Sequence, residues 1–387
     1  MYNIFTLNKI AKIGIEKLDT DKFACSDSME NPHGILVRSA AMHDYEFGSN
    51  LLAIARAGAG VNNIPLDKCS KEGIVVFNTP GANANAVKEL VITALLISSR
   101  KVVDGVNWAQ SLKGNGDAVA KMIEKGKSNY VGPEITGKTL GVIGLGAIGG
   151  LVANVAVSLG MNVIGFDPFL SVDSAWNLST NIKKAKSNRE VYEKADYITI
   201  HSPLNDDTRN MISKETIEIM KDGVRILNFS RGELVNTADI IKAVTDKKVS
   251  VYITDFPNDE LLNIDGIIPV PHLGASTPES EDNCAVMAAN EIGEYLENGN
   301  IINSVNYPET NLPRSTNHRV CIFHNNVPKM LTQISATMAE QNINIENMLN
   351  KSKKDVAYTI LDVENVPANT VETLMAIDGI YKVRIIG

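Results

Sequence analysis

Long apolar runs, clustered cysteines and an excess of basic residues are all missing from this sequence. Its 387 residues include four cysteines, and the formal net charge is −8. No stretch reaches eighteen apolar residues, which argues against a membrane span, and the acidic balance argues against a nucleic-acid-binding surface. The cysteines have neither metal-ligand nor disulfide-framework spacing, and no signal-peptide pattern is present. We therefore expect reduced thiols, a cytoplasmic location and no metal site.

What the sequence does contain is a glycine-rich turn between an apolar strand and a helix. Residues 140–149 read Leu-Gly-Val-Ile-Gly-Leu-Gly-Ala-Ile-Gly. Gly144 permits a tight turn, Gly146 lets the backbone approach a pyrophosphate, and Gly149 allows the helix to pack on the strand. A second apolar run ends at Asp167, whose carboxylate can bind the adenosine ribose hydroxyls and would repel a 2′-phosphate. The pattern predicts a dinucleotide-binding unit that takes NAD in preference to NADP.

Short apolar runs alternate with helical patterns over the first three quarters of the chain. This alternation is typical of parallel sheets covered by helices. It predicts an α/β fold with two Rossmann-like, doubly wound parallel-sheet domains. The substrate-binding domain is expected at residues 1–98 and 285–307, and the dinucleotide-binding domain at residues 99–284.

The end of the chain has a different pattern. Residues 308–317 are polar and contain two prolines, which is typical of a linker. Beyond them, residues 318–387 alternate as strand, helix, strand, strand, helix, strand, which is the ferredoxin-like βαββαβ order. A third, small domain is therefore expected after the linker.

Three segments at predicted strand ends carry groups that a nicotinamide-dependent enzyme needs. Such an enzyme requires a base for a hydroxyl proton, a group that orients this base, and a cation for a carboxylate. Arg231 lies in the first segment, two consecutive acids lie in the second, and His272 lies in the third. Each side chain alone could be structural, but their joint placement at strand ends after the dinucleotide turn favours catalysis.

Over nearly all of residues 1–307 the chain resembles the D-2-hydroxyacid dehydrogenases. Arg-Gly-Glu-Leu-Val at 231–235 is similar to the family's run around its substrate-orienting arginine. Pro-His-Leu-Gly-Ala-Ser-Thr at 271–277 is similar to the motif of its general acid/base. The resemblance implies that Arg231 binds the substrate carboxylate and that His272 takes the hydroxyl proton as a hydride leaves for NAD.

The carboxylate beside the histidine departs from the family pattern. The family commonly reads Asp-Val-Phe-x-x-Glu, whereas this chain reads Asp-Phe-Pro-Asn-Asp-Glu at 255–260. Alignment on the phenylalanine selects Asp259, and alignment on the first aspartate selects Glu260. We favour Glu260 as the third catalytic residue, because that alignment also keeps Asp255 as the group expected to reach the nicotinamide carboxamide.

The resemblance also implies further contacts with cofactor and substrate. Arg38 and Arg56 stand at predicted strand ends and resemble the arginines that meet the phosphate in relatives acting on 3-phosphoglycerate. The alternative is that each arginine only pairs with a surface carboxylate. The other expected substrate-binding residues are Ser39, Gly58, Ala59 and Asn83. The other expected cofactor-binding residues are Ala147, Ile148, His201, Pro203, Thr208, Ser230 and Gly274.

Residues 318–387 resemble an ACT domain, a small-molecule sensor of amino-acid metabolism. In serine-inhibited relatives a histidine, the asparagine two positions later and a further asparagine bind serine. His324, Asn326 and Asn344 follow that order, whereas Lys329 stands where relatives usually carry glycine. The alternative is a domain that only joins subunits through its sheet edges.

The expected activity is NAD-dependent oxidation of 3-phosphoglycerate to 3-phosphohydroxypyruvate, the first step of phosphorylated serine biosynthesis, with L-serine as the candidate effector. Family likeness implies a homodimer or homotetramer. One alternative is another 2-hydroxyacid dehydrogenase, such as a hydroxypyruvate or glyoxylate reductase, and the paired arginines disfavour it. The other is a non-catalytic NAD-sensing protein, which Arg231 together with His272 disfavours.

Overall fold

A computed structural model describes all 387 residues. The strands, in chain order, are β1 Tyr2–Thr6, β2 Phe23–Ser26, β3 Gly34–Val37, β4 Ala53–Arg56, β5 Val75–Phe77, β6 Thr139–Ile143, β7 Asn162–Phe166, β8 Ile182–Lys184, β9 Tyr197–Ile200, β10 Val224–Asn228, β11 Val249–Thr254, β12 Ile267–Pro269, β13 His318–Asn325, β14 Ile345–Lys353, β15 Val356–Val363 and β16 Ile380–Ile386. The helices are α1 Lys12–Ile15, α2 Leu66–Lys71, α3 Ala84–Ser99, α4 Val102–Ser111, α5 Val119–Gly126, α6 Ala147–Ser158, α7 Val172–Trp176, α8 Asn188–Lys194, α9 Lys214–Glu218, α10 Thr237–Thr245, α11 Pro278–Asn298, α12 Met330–Glu340 and α13 Thr370–Met375. No helix is both long and apolar enough to cross a membrane.

The chain divides into two compact units. Unit one comprises Met1–Asn83 and Pro278–Gly387, and unit two comprises Ala84–Thr277. Helix α3 falls in unit two, because its buried residues, such as Val91 and Leu95, share a hydrophobic core with strand β6. Helix α11 falls wholly in unit one. The expected boundary at residue 98 lies near the end of α3, and the expected boundary at residue 285 lies inside α11. In the structure each of these helices belongs wholly to one unit.

Unit two is built on a seven-stranded sheet in which every strand pair is parallel. The strand order is β12-β11-β10-β9-β6-β7-β8. The order reverses between the neighbours β6 and β9, which is where open α/β sheets form a ligand crevice at their carboxyl edge. Tyr197–Ile200, the strand β9, is buried at every residue, as expected for a strand covered by helices on both faces.

Unit one contains a five-stranded parallel sheet with the order β2-β1-β3-β4-β5. Helix α11 packs against this sheet through small residues, including Ala285, Ala288 and Ala289, which are almost fully buried. Side chains of this size let a helix approach closely. Arg38 and Arg56 lie at the carboxyl ends of β3 and β4, as their sequence position predicted.

The last 70 residues form a separate antiparallel sheet with the order β14-β15-β13-β16. Helices α12 and α13 cover one face of this sheet, around Ile322, Ile334 and Leu374. The βαββαβ order is therefore present, and the predicted α/β class with two parallel sheets and a small ferredoxin-like sheet is confirmed.

The other face of the small sheet is not exposed. Phe323, Tyr358 and Ile360 belong to the same hydrophobic core as Leu36 and Ile292 of the parallel-sheet region. The hydroxyl of Tyr358 donates to the carbonyl oxygen of Gly299 at 2.7 Å, just beyond α11. The small sheet and the parallel-sheet region of unit one therefore share one core.

A fully buried ion pair lies at this junction. Arg319 in β13 and Asp362 in β15 have no exposed side-chain surface, and Arg319 Nε is 2.6 Å from Asp362 Oδ1. The guanidinium also donates to the carbonyl oxygens of Asn298 and Leu312. Because every charge is paired and hydrogen-bonded, the desolvation cost of burying it is offset, and the pair joins the small sheet to the end of α11.

Lys329 adopts a backbone conformation that favours glycine. It precedes α12 with φ +69° and ψ −3°, in the left-handed region. The resemblance to ACT domains implied glycine at this position. A side chain there costs roughly 1–2 kcal/mol because Cβ approaches the following carbonyl oxygen.

Lys329→Gly is therefore expected to raise the free energy of unfolding by about 1 kcal/mol, since glycine relieves the strain at a modest entropic cost. Urea denaturation of the full chain measures this. Lys329→Ala is the matched control, because it removes the charged side chain and keeps the strained Cβ. Equal stabilisation by both substitutions would show that the charge, and not the backbone, is responsible.

Candidate active site at the carboxyl edge of the unit-two sheet

The predicted cofactor and catalytic residues all lie in unit two, at strand ends or in the loops that follow them. The turn between β6 and α6 shows why glycine is required there. Gly144 has φ +87°, and a Cβ atom on it would lie 2.7 Å from the carbonyl oxygen of His201. A Cβ on Gly149 would overlap the carbonyl oxygen of Gly144, whereas nothing lies within 4 Å of the corresponding point on Gly146. The open space at Gly146 suits the close approach of a pyrophosphate, with Ala147 and Ile148 opening α6.

Asp167 is held against this turn. It follows β7, and its Oδ2 accepts the backbone N–H of Leu145 at 2.9 Å. Its Oδ1 accepts the N–H of Phe169 at 2.8 Å. Two backbone donors fix the carboxylate beside the glycine turn, where a ribose would lie.

Polar groups follow the neighbouring strands β9 and β10. The ring Nε2 of His201 is 2.9 Å from Thr199 Oγ1, and its Nδ1 is buried without a partner. Burial lowers the pKa of His201 to about 4, so the ring is neutral at pH 7. Ser230 Oγ donates to the carbonyl oxygen of Ile200, which ties the two strand ends together. Thr208 Oγ1 donates to the carbonyl oxygen of Pro203 within the loop after β9.

Asp255 is the strongest indication of a bound group. Its side chain is 2% exposed, and its Oδ1 has no hydrogen-bond partner. Burial raises the pKa of Asp255 to about 6, although the backbone N–H of Gly274 and the charge of Arg231 oppose this shift. An unpartnered buried carboxylate oxygen costs free energy unless a ligand supplies a donor. The carboxamide of a nicotinamide cofactor would supply one, so the residues present fit NAD.

Two of the predicted catalytic side chains, Arg231 and His272, lie near the ring of Phe256. The guanidinium carbon of Arg231 is 5.9 Å from the centre of the Phe256 ring, and the His272 ring centre is 4.6 Å from it. The register explains this. Asn228 pairs with Thr254 as β10 and β11 end, so the residues that follow emerge side by side.

The structure gives less support to the third catalytic residue. Asp259 and Glu260 are both exposed, on a 3-10 turn in which Asn258 Oδ1 accepts the backbone N–H of Leu261. The choice of Glu260 over Asp259 as the partner of His272 stays a prediction.

The predicted substrate residues lie in unit one and partly contact one another. Arg56 Nε donates to the carbonyl oxygen of Arg38 at 3.0 Å, so the side chain of Arg56 lies against the backbone of Arg38. Arg38 Nη2 also forms an ion pair with Glu281 Oε1 at 2.8 Å. A Cβ on Gly58 would overlap the guanidinium of Arg56, which explains the small residue there. The remaining members are Ser39, which accepts a hydrogen bond from Asn8, with Ala59 and Asn83 in the loops after β4 and β5.

The three predicted effector residues differ in accessibility. His324 is 2% exposed, and its ring nitrogens lie 2.8 Å from the Asn325 carbonyl oxygen and 2.9 Å from Thr359 Oγ1. Asn326 is exposed and donates to the carbonyl oxygen of Lys354. Asn344 is also exposed and donates to Glu346. Only the two asparagines therefore present side-chain surface to a solute.

Sequence reasoning missed two residues of these sites. Phe256 entered it only as an alignment marker, although an aromatic side chain directly after Asp255 could have been recognised as a neighbour of the catalytic groups. Glu281, in the first turn of α11, pairs with Arg38 across 243 positions, and no local pattern signals that pairing.

Comparisons with known proteins agree with this geometry. Residues 92–274 match the family model described as D-isomer specific 2-hydroxyacid dehydrogenase, NAD binding domain. A Schizosaccharomyces pombe protein assigned to the D-3-phosphoglycerate dehydrogenases is 30% identical over 380 residues, covering 90% of this chain and 77% of that protein. The D-3-phosphoglycerate dehydrogenase of Escherichia coli K12 is 29% identical, with 98% and 94% covered.

A solved structure is similar as well. The NAD+-bound 3-phosphoglycerate dehydrogenase of Entamoeba histolytica superposes with a TM-score of 0.61 at 26% identity, covering 79% of this chain and 98% of that one. The NAD-binding family model spans the glycine turn, Asp167, Asp255 and His272. The prediction of NAD as the cofactor is therefore confirmed.

Asp255→Asn is expected to stabilise the cofactor-free protein in a pH-dependent way. The folded-state pKa of about 6 lies above the ordinary value of 3.8, so the fold disfavours the carboxylate and loses stability as the pH rises between these values. Asparagine cannot ionise. The free energy of unfolding should therefore increase by roughly 1–3 kcal/mol above pH 6, and the gain should shrink towards pH 4.

Urea denaturation without NAD at about pH 4.5 and pH 7.5 measures this difference. Asp265→Asn is the matched control, because Asp265 is 95% exposed in its side chain. A gain of equal size at both pH values would contradict the ionisation argument.

Proposed function

This chain belongs to the D-isomer-specific 2-hydroxyacid dehydrogenase family, and we propose that it oxidises 3-phospho-D-glycerate to 3-phosphohydroxypyruvate with NAD. Relatives named for this activity align with 90% and 98% of the chain. The reaction would open the phosphorylated route to serine. The single observation that carries the catalytic part is the placement of Arg231 and His272 around one ring, next to the buried, unpartnered oxygen of Asp255.

The residue roles follow from the chemistry of these groups. Arg231 would bind the substrate carboxylate through paired N–H donors and polarise the oxygen on C2. His272 would accept the C2 hydroxyl proton as general base. When bound, NAD+ supplies the acceptor for the hydride that leaves C2. Asp255 would hold the carboxamide through its Oδ1, and Glu260 would stabilise the imidazolium form of His272.

Arg38 and Arg56 are proposed to bind the substrate phosphate. Two features support this: both lie at the carboxyl edge of the unit-one sheet, and the side chain of Arg56 is fastened to the backbone of Arg38. The ion pair between Arg38 and Glu281 has 39% and 43% side-chain exposure. An exposed pair of this kind contributes little, so a dianionic phosphate can displace the carboxylate.

The substrate assay is NADH formation with 3-phosphoglycerate, D-glycerate and D-lactate. We expect kcat/KM to favour the phosphorylated acid on the order of 100-fold, because two charge-assisted interactions exist only with the phosphate. Arg56→Ala should remove most of this preference while leaving the rate with D-glycerate nearly unchanged. Equal turnover of all three acids would return both arginines to a structural role and leave a general 2-hydroxyacid dehydrogenase.

His272→Ala distinguishes the enzyme from an NAD-sensing protein. Loss of a general base lowers kcat roughly 10²- to 10⁴-fold. The affinity for NAD, measured by calorimetry, should stay the same. Unchanged turnover in this variant would eliminate the proposed mechanism.

L-serine is proposed as an effector of the C-terminal sheet. Support comes from the exposed side chains of Asn326, which precedes α12, and Asn344, which precedes β14, and the buried His324 would act only by supporting the loop. Calorimetry of the full chain with L-serine, and with D-serine as the control, tests this. Stereoselective binding that Asn326→Ala abolishes is the expected result, and absence of binding to the wild type would refute the proposal.

A homo-oligomer is proposed from helix α4. None of its residues is buried, and Val102, Val103 and Val106 are 52%, 40% and 48% exposed. A second copy of the chain is the occupant that the family likeness favours. Light scattering should then give two or four times the 41.9 kDa chain mass, and a mass equal to one chain would refute it.

A further inference from the structure

The ring of Phe256 is close to both side chains that carry the proposed chemistry. Its ring plane makes an angle of 49° with the imidazole of His272, with 4.6 Å between ring centres. The Arg231 guanidinium is 5.9 Å from the same ring centre. All three residues lie in unit two, so these contacts belong to one compact body.

The backbone around Phe256 is well fixed. Its N–H donates to Thr254 Oγ1 at 3.1 Å, and the following Pro257 restricts it to an extended conformation. A Cβ on Gly232 would lie 3.3 Å from the Cβ of Phe256, so only a residue as small as glycine leaves this approach unstrained. Contacts with residues at the ends of β10 and β11 therefore fix the position of the Phe256 Cβ atom.

The ring itself is less confined. A cavity of about 400 Å³ borders Phe256 and is lined also by Tyr252, Ile240 and Leu261, but by neither Arg231 nor His272. The ring therefore borders this cavity, and its contacts with the imidazole and the guanidinium lie outside the cavity lining.

The side chain of His272 is exposed, and Asp259 and Glu260 lie on an exposed turn. A ring face attracts a cation within about 6 Å, and aromatic pairs at this separation stabilise each other beyond the effect of their buried area. One phenyl ring can thus align both the cation and the base.

We propose that Phe256 is a positioning residue that holds His272 and Arg231 in the relative geometry needed for proton transfer and carboxylate binding. The inference rests on the proposed function, since it assigns a role within the same site. This role does not require Phe256 to contact the reacting atoms.

The kinetic consequence differs from that of a residue needed only for folding. Loss of the ring lets His272 sample unproductive orientations, which lowers kcat. It also loosens Arg231, which raises KM for the 2-hydroxy acid. The glycine turn and Asp167, which would bind the pyrophosphate and the ribose, lie at the ends of other strands, so KM for NAD should change less than kcat and KM for the acid.

The test compares Phe256→Leu with Phe256→Tyr in the full chain, using NADH formation from 3-phosphoglycerate. For Phe256→Leu we expect a roughly tenfold fall in kcat and a severalfold rise in KM for the acid. Phe256→Tyr keeps the ring and should restore both to within about twofold. Phe47→Leu is the matched control, because Phe47 is also half-buried and has a cation, Lys68 Nζ, 4.4 Å from its ring centre.

Normal kinetics in Phe256→Leu would overturn the inference while leaving the proposed function intact. So would a loss that Phe256→Tyr does not restore, or one that falls equally on KM for NAD. A fall in kcat alone would overturn the Arg231 part. If instead the wild type forms no NADH with 3-phosphoglycerate, D-glycerate or D-lactate, the proposed function itself has failed.

Discussion

The register between β10 and β11 is the constraint on which the candidate active site depends. Parallel pairing ends with Asn228 opposite Thr254, and the chain then leaves both strands in the same direction at the same edge. A shift of one residue would exchange inward and outward side chains and separate Arg231 from Phe256. The hydrophobic strands therefore do more than form a core, because their alignment sets the distances between groups that are far apart in sequence.

Local patterns predicted much of this arrangement. The glycine turn, Asp167 and the strand ends that carry Arg231 and His272 are each defined by a few adjacent residues, because turn geometry and burial act over short distances. Features that depend on distant contacts were not predictable in this way. The pairing of Arg38 with Glu281 is one example, and the placement of α3 with the unit-two core is another. The burial of His324 is a third, since a motif shows the residue type and not which face of β13 it occupies.

Two kinds of buried polar group occur in the molecule. Arg319 and Asp362 are fully paired and connect elements that must stay together. At the cofactor edge, by contrast, Asp255 and His201 each keep one buried atom without a partner. Unsatisfied groups of this kind cost stability in the empty protein, and at this edge a bound cofactor can satisfy them.

The core shared between the small antiparallel sheet and the parallel-sheet region limits how freely the C-terminal segment could be exchanged during evolution or in the laboratory. A segment joined only by a linker can be transplanted at that linker. Here recombination near residues 308–317 would combine the two sides of a continuous hydrophobic core from different parents, and it would separate the buried Arg319 from the backbone carbonyl of Asn298 that it binds. A viable chimera would have to inherit matching surfaces from both parents, so the two segments are expected to change together and not as independent modules.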